Sequence, residues 1–248
     1  MKPASHLVVL DFDGTWTLWP MEGNSHWSRM DRHVLNQEQL NRTQETRTYY
    51  MGMKAKGIWS EQLEKEWLEA SIQVWIDAGL KRDHIAECFG ENAPYLRRGH
   101  RAMLERLKRQ ATGRVHVVIN SYGIHDIITA ILQAEGVLHL VDEVIAISLT
   151  YDETGCVTGI DQSTLVNSRI KQERTREIMA RLGVSEANTT GVGHTIGDAV
   201  IVPDGAHRLL LASSQEHADS FKRHFHDHVI SPHDWSGVMT KLELRFGF

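Results

Sequence analysis

Two aspartates two residues apart, Asp11 and Asp13, close the apolar run Leu7 to Leu10. Like charges this close repel, so folding alone gives little reason to keep both. Attack on phosphorus gives one. The first carboxylate can form an aspartyl-phosphate, which splits one hard displacement into two easier ones. The second can protonate the leaving oxygen and later activate water. Gly14 follows and lets the backbone turn closely around a phosphate. The plain alternative is an Asp-Gly turn after a strand.

The elements around this pair follow an alternating pattern. Leu7 to Leu10 is a short continuous apolar run, as in a buried parallel strand. Val115, Val117, Val118 and Ile119 form a second strand that ends at Asn120 and Ser121, and Val144 to Leu149 form a third. Asp152-Glu153-Thr154-Gly155 is a turn across which Val157 to Ile160 can pair back as a hairpin. Further strands are expected at Thr189 to Val192, 208–212 and 228–230. Between them, Ile124, Ile127, Ile128, Ile131 and Leu132 share a helical face, and another helix spans about 169–182. This predicts an α/β fold: a Rossmann-like, mostly parallel sheet with helices on both faces. Ligands bind beyond the carboxyl ends of such strands, where Asp11, Ser121 and His194 all fall.

Residues 20–110 read as a mostly helical insertion after the first strand. Ser60 can cap a helix whose positive end carries Glu61 and Glu64. Leu63, Trp67, Leu68, Ile72, Trp75 and Ile76 recur at helical spacing, and Gly79 can end it. Shorter helical stretches follow near 82–88 and 99–110. Residues 20–57 are polar with weak periodicity and specify no element.

Asp-Phe-Asp-Gly-Thr after an apolar strand resembles the first motif of the haloacid dehalogenase superfamily. The resemblance implies that Asp11 is the nucleophile and Asp13 the general acid/base. It implies a phosphate-binding serine at a strand end, which points to Ser121, with the backbone of Tyr122 and Gly123 nearby. Ser121 equally suits a helix N-cap before Ile124. It implies a lysine that steadies the negative charge, and Lys171 lies in the right interval. The superfamily's fourth motif reads Gly-Asp, three residues, Asp. Here Gly193-His194-Thr195-Ile196-Gly197-Asp198 puts His194 where a magnesium-binding aspartate is expected. Magnesium favours oxygen ligands over imidazole. Three outcomes follow: Asp198 takes over as ligand, a softer ion such as manganese binds, or activity is weak. The implied metal set is Asp11, Asp13, His194 and Asp198, with Mg2+, or with Mn2+ or another divalent cation because of His194. Starting the motif at Asp198 would make Asp204 the next acid, at the wrong spacing.

Further stretches are similar to the cytosolic 5′-nucleotidase III, or pyrimidine 5′-nucleotidase, family. Ser121-Tyr122-Gly123-Ile124-His125-Asp126 resembles its Ser-Ala-Gly-Ile-Gly-Asp, and Gln133-Ala134-Glu135-Gly136-Val137 its Gln-Ala-Gly-Val. Asp152 to Gly155 matches a hairpin that precedes the family's lysine, and Glu66-Trp67 resembles its Glu-Trp-Trp helix. The resemblance covers roughly residues 5–205, with residues 20–57 poorly matched. It implies a helical cap over residues 20–110, a core of residues 1–19 and 111–248, and nucleoside 5′-monophosphates as substrates. It also implies a glutamate in the cap that helps recognise the nucleotide, for which Glu61 and Glu64 are candidates. Trp59, Trp67, Tyr49 and Tyr50 could stack on a base, although tryptophan at helical spacing also suits a core. The chain departs from the family at Gly14-Thr15-Trp16-Thr17, where Met-Thr-Leu-Thr is usual.

The composition narrows the classes. A chain of 248 residues with a formal net charge of -5 is a poor general binder of nucleic-acid polymers. The basic run Arg97, Arg98, Arg101, Arg106, Lys108 and Arg109 reads as the solvated face of a helix. The two cysteines, Cys88 and Cys156, have no metal or redox spacing, which favours a reducing compartment. No apolar run reaches bilayer-spanning length, and the N-terminus does not read as a signal peptide. These readings predict a cytoplasmic protein; the motifs and the resemblance imply a small phosphomonoester substrate, for a monomer or homodimer. His224, His226 and His228 alternate as zinc ligands on a strand would, but a polar edge strand explains them more simply. Gly191-x-Gly193 followed by Gly197 lacks dinucleotide spacing. Two rival functions remain: a phosphatase for a small ester such as phosphoserine, and a nucleotide-binding module whose turnover His194 impairs.

Overall fold

A computed structural model describes residues 4–17, 25–58, 60–90, 96–110, 115–231 and 233–247. Trp59, one of the candidates for stacking on a base, lies outside these residues. Six strands form one parallel sheet: β1 (His6–Leu10), β2 (Val115–Ile124), β3 (Glu143–Ile147), β6 (Thr189–Gly193), β7 (His207–Ala212) and β8 (Asp227–Ile230). Their spatial order is β3-β2-β1-β6-β7-β8. β1 is central, pairing in parallel with β2 on one side and β6 on the other. It is therefore buried on both faces, which its unbroken apolar sequence anticipates. Val8 and Leu10 pack into one core cluster, and Leu7 and Val9 into another across the sheet. Strand order runs outward from β1 in both directions, so the crevice at its carboxyl end is a topological switch point.

Helices cover both faces. α6 (His125–Ala134) and α9 (Ser236–Phe246) contribute Ile127, Ile131, Val238 and Leu242 to one cluster, and α7 (Ser168–Leu182) contributes Ile178 and Met179 to the other. Asn167 caps α7 by accepting from the Ile170 N–H, and Gly183 ends it at φ +68°. α8 (Gln215–Phe221) follows β7. The apolar stretch expected as one strand over 144–149 is divided. β3 ends at Ile147, and Leu149 opens β4 (Leu149–Tyr151), which pairs with β5 (Val157–Ile160) as a separate antiparallel hairpin.

Between β1 and β2 the described residues form α1 (His26–Val34), α2 (Gln37–Ala55), α3 (Glu61–Asp77), α4 (Arg82–Phe89) and α5 (His100–Gln110). α3 begins as the sequence indicates, with the Ser60 hydroxyl accepting from the Leu63 N–H at 3.2 Å. α2 buries no side chain and rests on α3, tied by an Arg42–Asp77 ion pair at 2.9 Å. Trp75 of α3 stacks on Trp27 of α1 at 4.9 Å and donates its indole N–H to Asp31 at 2.7 Å. The β4–β5 hairpin fastens this segment through backbone bonds from Val157 to Leu80 and from Arg82 to Gly155.

Arg97 corrects the reading of the basic run. It precedes α5 and is fully buried, donating to the backbone carbonyls of Gly14 (2.7 Å), Thr15 (2.9 Å) and Ser231 (2.8 Å). Burial lowers its pKa to about 10, which still leaves it charged. Arg101, Arg106 and Arg109 are exposed as expected.

Candidate active site

The loop after β1 is shaped by its own backbone. Asp11 keeps its N–H on the Val192 carbonyl, and the N–H groups of Thr15, Trp16 and Thr17 then all turn back to the Phe12 carbonyl. Gly14 sits at φ +71°, in the left-handed region that glycine enters at least cost. Its N–H donates to the Thr17 hydroxyl at 2.8 Å. Arg97 grips the carbonyls on the outer side of the same turn.

Asp11 lies buried at the switch point, with Lys171 Nζ 3.1 Å from its Oδ1 and 3.5 Å from Asp198 Oδ1. Asn120 places this lysine by donating to its carbonyl at 2.9 Å, which ties α7 to the end of β2. The ammonium also sits 4.2 Å over the Tyr122 ring. Burial alone would lower the Lys171 pKa, but the charges of Asp11 and Asp198 outweigh it and raise it.

His194 follows β6 and stands between the carboxylates. Its Nδ1 lies 3.3 Å from Asp11 Oδ2, 3.2 Å from Asp198 Oδ2 and 3.2 Å from the Thr15 hydroxyl. Thr15 donates to Asp11 Oδ2 at 3.0 Å. Burial would lower the imidazole pKa, yet hydrogen bonds and charge from the two aspartates raise it to about 9. The ring lies against the bare face of Gly14, where a Cβ would approach Nε2 to 2.4 Å. His217 holds the His194 carbonyl at 2.8 Å, and its Nδ1 accepts from the Ser213 N–H. Burial would raise the Asp198 pKa, but Lys171 and His194 hold it well below the usual carboxylate range. Asp198 Oδ2 also accepts from the His194 N–H, the Thr195 N–H and the Thr195 hydroxyl. Asp204, the next acid if the motif began at Asp198, is an exposed partner of Arg208.

Ser121 is not the N-cap of α6. That position is Ile124, and β2 continues to it through an irregular stretch after Asn120. The buried Ser121 hydroxyl accepts from the Gly123 N–H at 3.0 Å and keeps its own proton to donate. Asp13 points another way: its Oδ1 lies 2.5 Å from Nδ1 of His26, the first residue of α1.

Among the described residues, Asp11, His194 and Asp198 are the group whose ligand atoms converge, all within 4.8 Å of one another. Asp13 is not among them. The spacing of His194 Nδ1 from the two carboxylates is close to the ~3 Å edge between neighbouring ligands around a cation with ~2.1 Å bonds. Two carboxylates and an imidazole nitrogen suit an ion such as manganese better than magnesium. Binding would require His194 to give up its Nδ1 proton and Asp198 Oδ2 to surrender donors it already holds. His226, of the histidine set declined as a zinc site, accepts from the Arg208 N–H and stacks on His207, a structural role.

Asp11, Asp13, Ser121, Tyr122, His194 and Asp198 line a cleft of about 1840 Å³ whose other wall is α2 and α3. Glu61, Glu64 and Trp67 line that wall, whereas Tyr49 and Tyr50 do not. Trp67 stacks on Tyr50 at 6.4 Å. Burial raises the Glu64 pKa, against the charges of Lys54 and Lys171. Four participants escaped the sequence reading: Thr15, Arg97, Asn120 and His26. Thr15 alone carried a signal, as the last residue of the first motif.

The fold has close counterparts. Cytosolic 5′-nucleotidase IIIB bound to cytidine superposes with a TM-score of 0.69 at 16% identity, covering 98% of this chain and 87% of that one. A phosphoserine phosphatase solved as a phospho-aspartyl intermediate analogue gives 0.67 at 15% identity, covering 96% and 99%. A HAD family hydrolase from Salmonella enterica subsp. enterica serovar Typhi gives 0.67 at 17% identity, covering 92% and 68%. Residues 26–211 match the family described as Pyrimidine 5'-nucleotidase (UMPH-1). The chain therefore belongs to the pyrimidine 5′-nucleotidase family, and its fold is shared with these hydrolases.

Proposed function

We propose that this phosphatase hydrolyses nucleoside 5′-monophosphates through an aspartyl-phosphate on Asp11. The observation that carries the reading is the buried Asp11 carboxylate, held by Lys171 at the sheet's switch point and open to the cleft. In the first half-reaction an Asp11 oxygen bonds to phosphorus while the bond to the leaving oxygen breaks. That oxygen keeps the electron pair and takes a proton from Asp13. In the second, water attacks phosphorus, Asp13 takes its proton, and the Asp11–phosphorus bond breaks with its electrons returning to the carboxylate. Lys171 and Ser121 face the phosphoryl oxygens and offset their charge; Gly14 and the Tyr122 and Gly123 backbone complete the loop around them.

A divalent cation at Asp11, His194 and Asp198 would add positive charge beside the phosphoryl group when bound. The donor set favours manganese. Mn2+ affinity measured calorimetrically on the resting protein is expected to exceed Mg2+ affinity, and His194→Asp is expected to narrow the ratio of the two. An unchanged ratio would remove His194 from the metal site.

The helices between β1 and β2 act as a cap over the core, with Glu64 and Trp67 facing the nucleoside. The cleft exceeds the roughly 300–1,000 Å³ of a single-ligand pocket, so a small ester such as phosphoserine would leave most of it to water. A panel of nucleotides and small phosphate esters tests this. Trp67→Ala is expected to raise KM for nucleotides about tenfold or more, at ~1–3 kcal/mol for a base stacked on an aromatic ring, and to spare small esters. Equal effects on both classes would contradict a base site there.

A further inference from the structure

His26 is the first residue of α1, and its ring is almost wholly removed from solvent. It is surrounded by parts of the site that come from different elements. Nδ1 meets Asp13 Oδ1 at 2.5 Å. The ring stands edge-on to Phe12 at 6.4 Å, and Trp27, 5.6 Å away, stacks in turn on Trp75. Gly123 lies so near that a Cβ there would come within 3.3 Å of His26 Cε1 and 3.2 Å of the Ser121 hydroxyl. A helix of the insertion thus drives one polar side chain between the first-motif loop and the phosphate loop.

The hydrogen bonds fix how this imidazole serves. Among the described residues, Nε2 is buried with no hydrogen-bond partner. A proton there would be a buried donor left unsatisfied, which is costly. The proton therefore belongs on Nδ1, which donates to Asp13 Oδ1. Asp13 itself is 36% exposed and lines the cleft. With Oδ1 accepting from His26, a proton carried by Asp13 must sit on the other oxygen.

We propose that His26 is a positioning residue acting through Asp13. It reserves one carboxylate oxygen, leaving the proton on the oxygen that serves the leaving group, and it links the seating of α1 to proton transfer. The inference rests on the assignment of Asp13 as general acid in the proposed function. His26 touches neither phosphorus nor the leaving oxygen.

The test compares two esters on one preparation: a nucleoside 5′-monophosphate, whose alkoxide leaving group needs a proton, and 4-nitrophenyl phosphate, whose phenolate does not. The ratio of their kcat values is independent of how much of the sample is folded. His26→Leu keeps bulk without a donor, and His26→Asn restores an N–H near the position of Nδ1. His26→Leu is expected to lower the nucleotide-to-aryl kcat ratio about tenfold or more, part of the ~10²–10⁴ that general acid catalysis supplies. KM should stay within about threefold, and His26→Asn should recover most of the ratio. Asp13→Asn, run alongside, should lower the ratio further. If Asp13→Asn lowers the ratio and His26→Leu leaves it unchanged, His26 has no positioning role and the Asp13 assignment stands. If neither changes it, both fall.

Discussion

At the scale of single residues, the site turns on His194 and the glycine that admits it. The imidazole fills the space a Gly14 side chain would need, so the two positions are coupled. Gly14→Ala is expected to cost about 1–3 kcal/mol in urea unfolding, from its left-handed backbone and the lost space. Combined with His194→Ala, the two losses should sum to less than their separate values, because the smaller side chain frees the room. Strict additivity would contradict the coupling. The raised His194 pKa gives a pH dependence in the metal-free protein. A folded-state pKa above the unfolded 6.5 stabilises fully below pH 6.5, and that stabilisation is lost as pH climbs through about 9. The stability gap between wild type and His194→Ala should therefore narrow by at most roughly 3 kcal/mol across this window. A gap that widens with pH would contradict a charged imidazole there. Asp11 was read from its place after an apolar strand, and Lys171 and Asp198 from the motif order that the resemblance implies; the structure brings the three side chains together. His26 was not, because its meaning lies in a contact across 13 residues that local spacing does not encode.

At the scale of elements, strands and capped helices followed their patterns, while α1 and α2 did not show. α2 buries no side chain, so it has no apolar stripe to read. The β3–β4 boundary was hidden because both strands are apolar and a single residue separates them. Arg97 was read as solvent-facing because charge composition cannot reveal three backbone carbonyls converging from distant segments. Its removal is an element-scale test. Arg97→Met would leave the carbonyls of Gly14, Thr15 and Ser231 without this donor, at ~1–3 kcal/mol for each buried group left unsatisfied. Chemical denaturation is expected to show a loss of about 3 kcal/mol or more, with kcat falling as the Asp11 loop loosens. Arg97→Lys should not rescue it, since an ammonium lacks the planar fork. Rescue by lysine would show that charge alone matters there.

At the scale of the whole molecule, the parallel sheet brings the ends of β1, β2 and β6 together, and the inserted helices close a cleft over them. That architecture was readable because alternating strands and helices leave few topologies. The cleft's dimensions were not, since they depend on how α2 and α3 stand on the β4–β5 hairpin. Everything proposed for this site depends on an Asp11 oxygen bonding to phosphorus. Rapid acid quench during nucleotide turnover, followed by peptide mass spectrometry, tests it most directly. A phosphoryl group on Asp11, absent from Asp11→Asn, is the expected result. Steady turnover with no phosphorylated Asp11 at any quench time, or with undiminished phosphate release by Asp11→Asn, would contradict it.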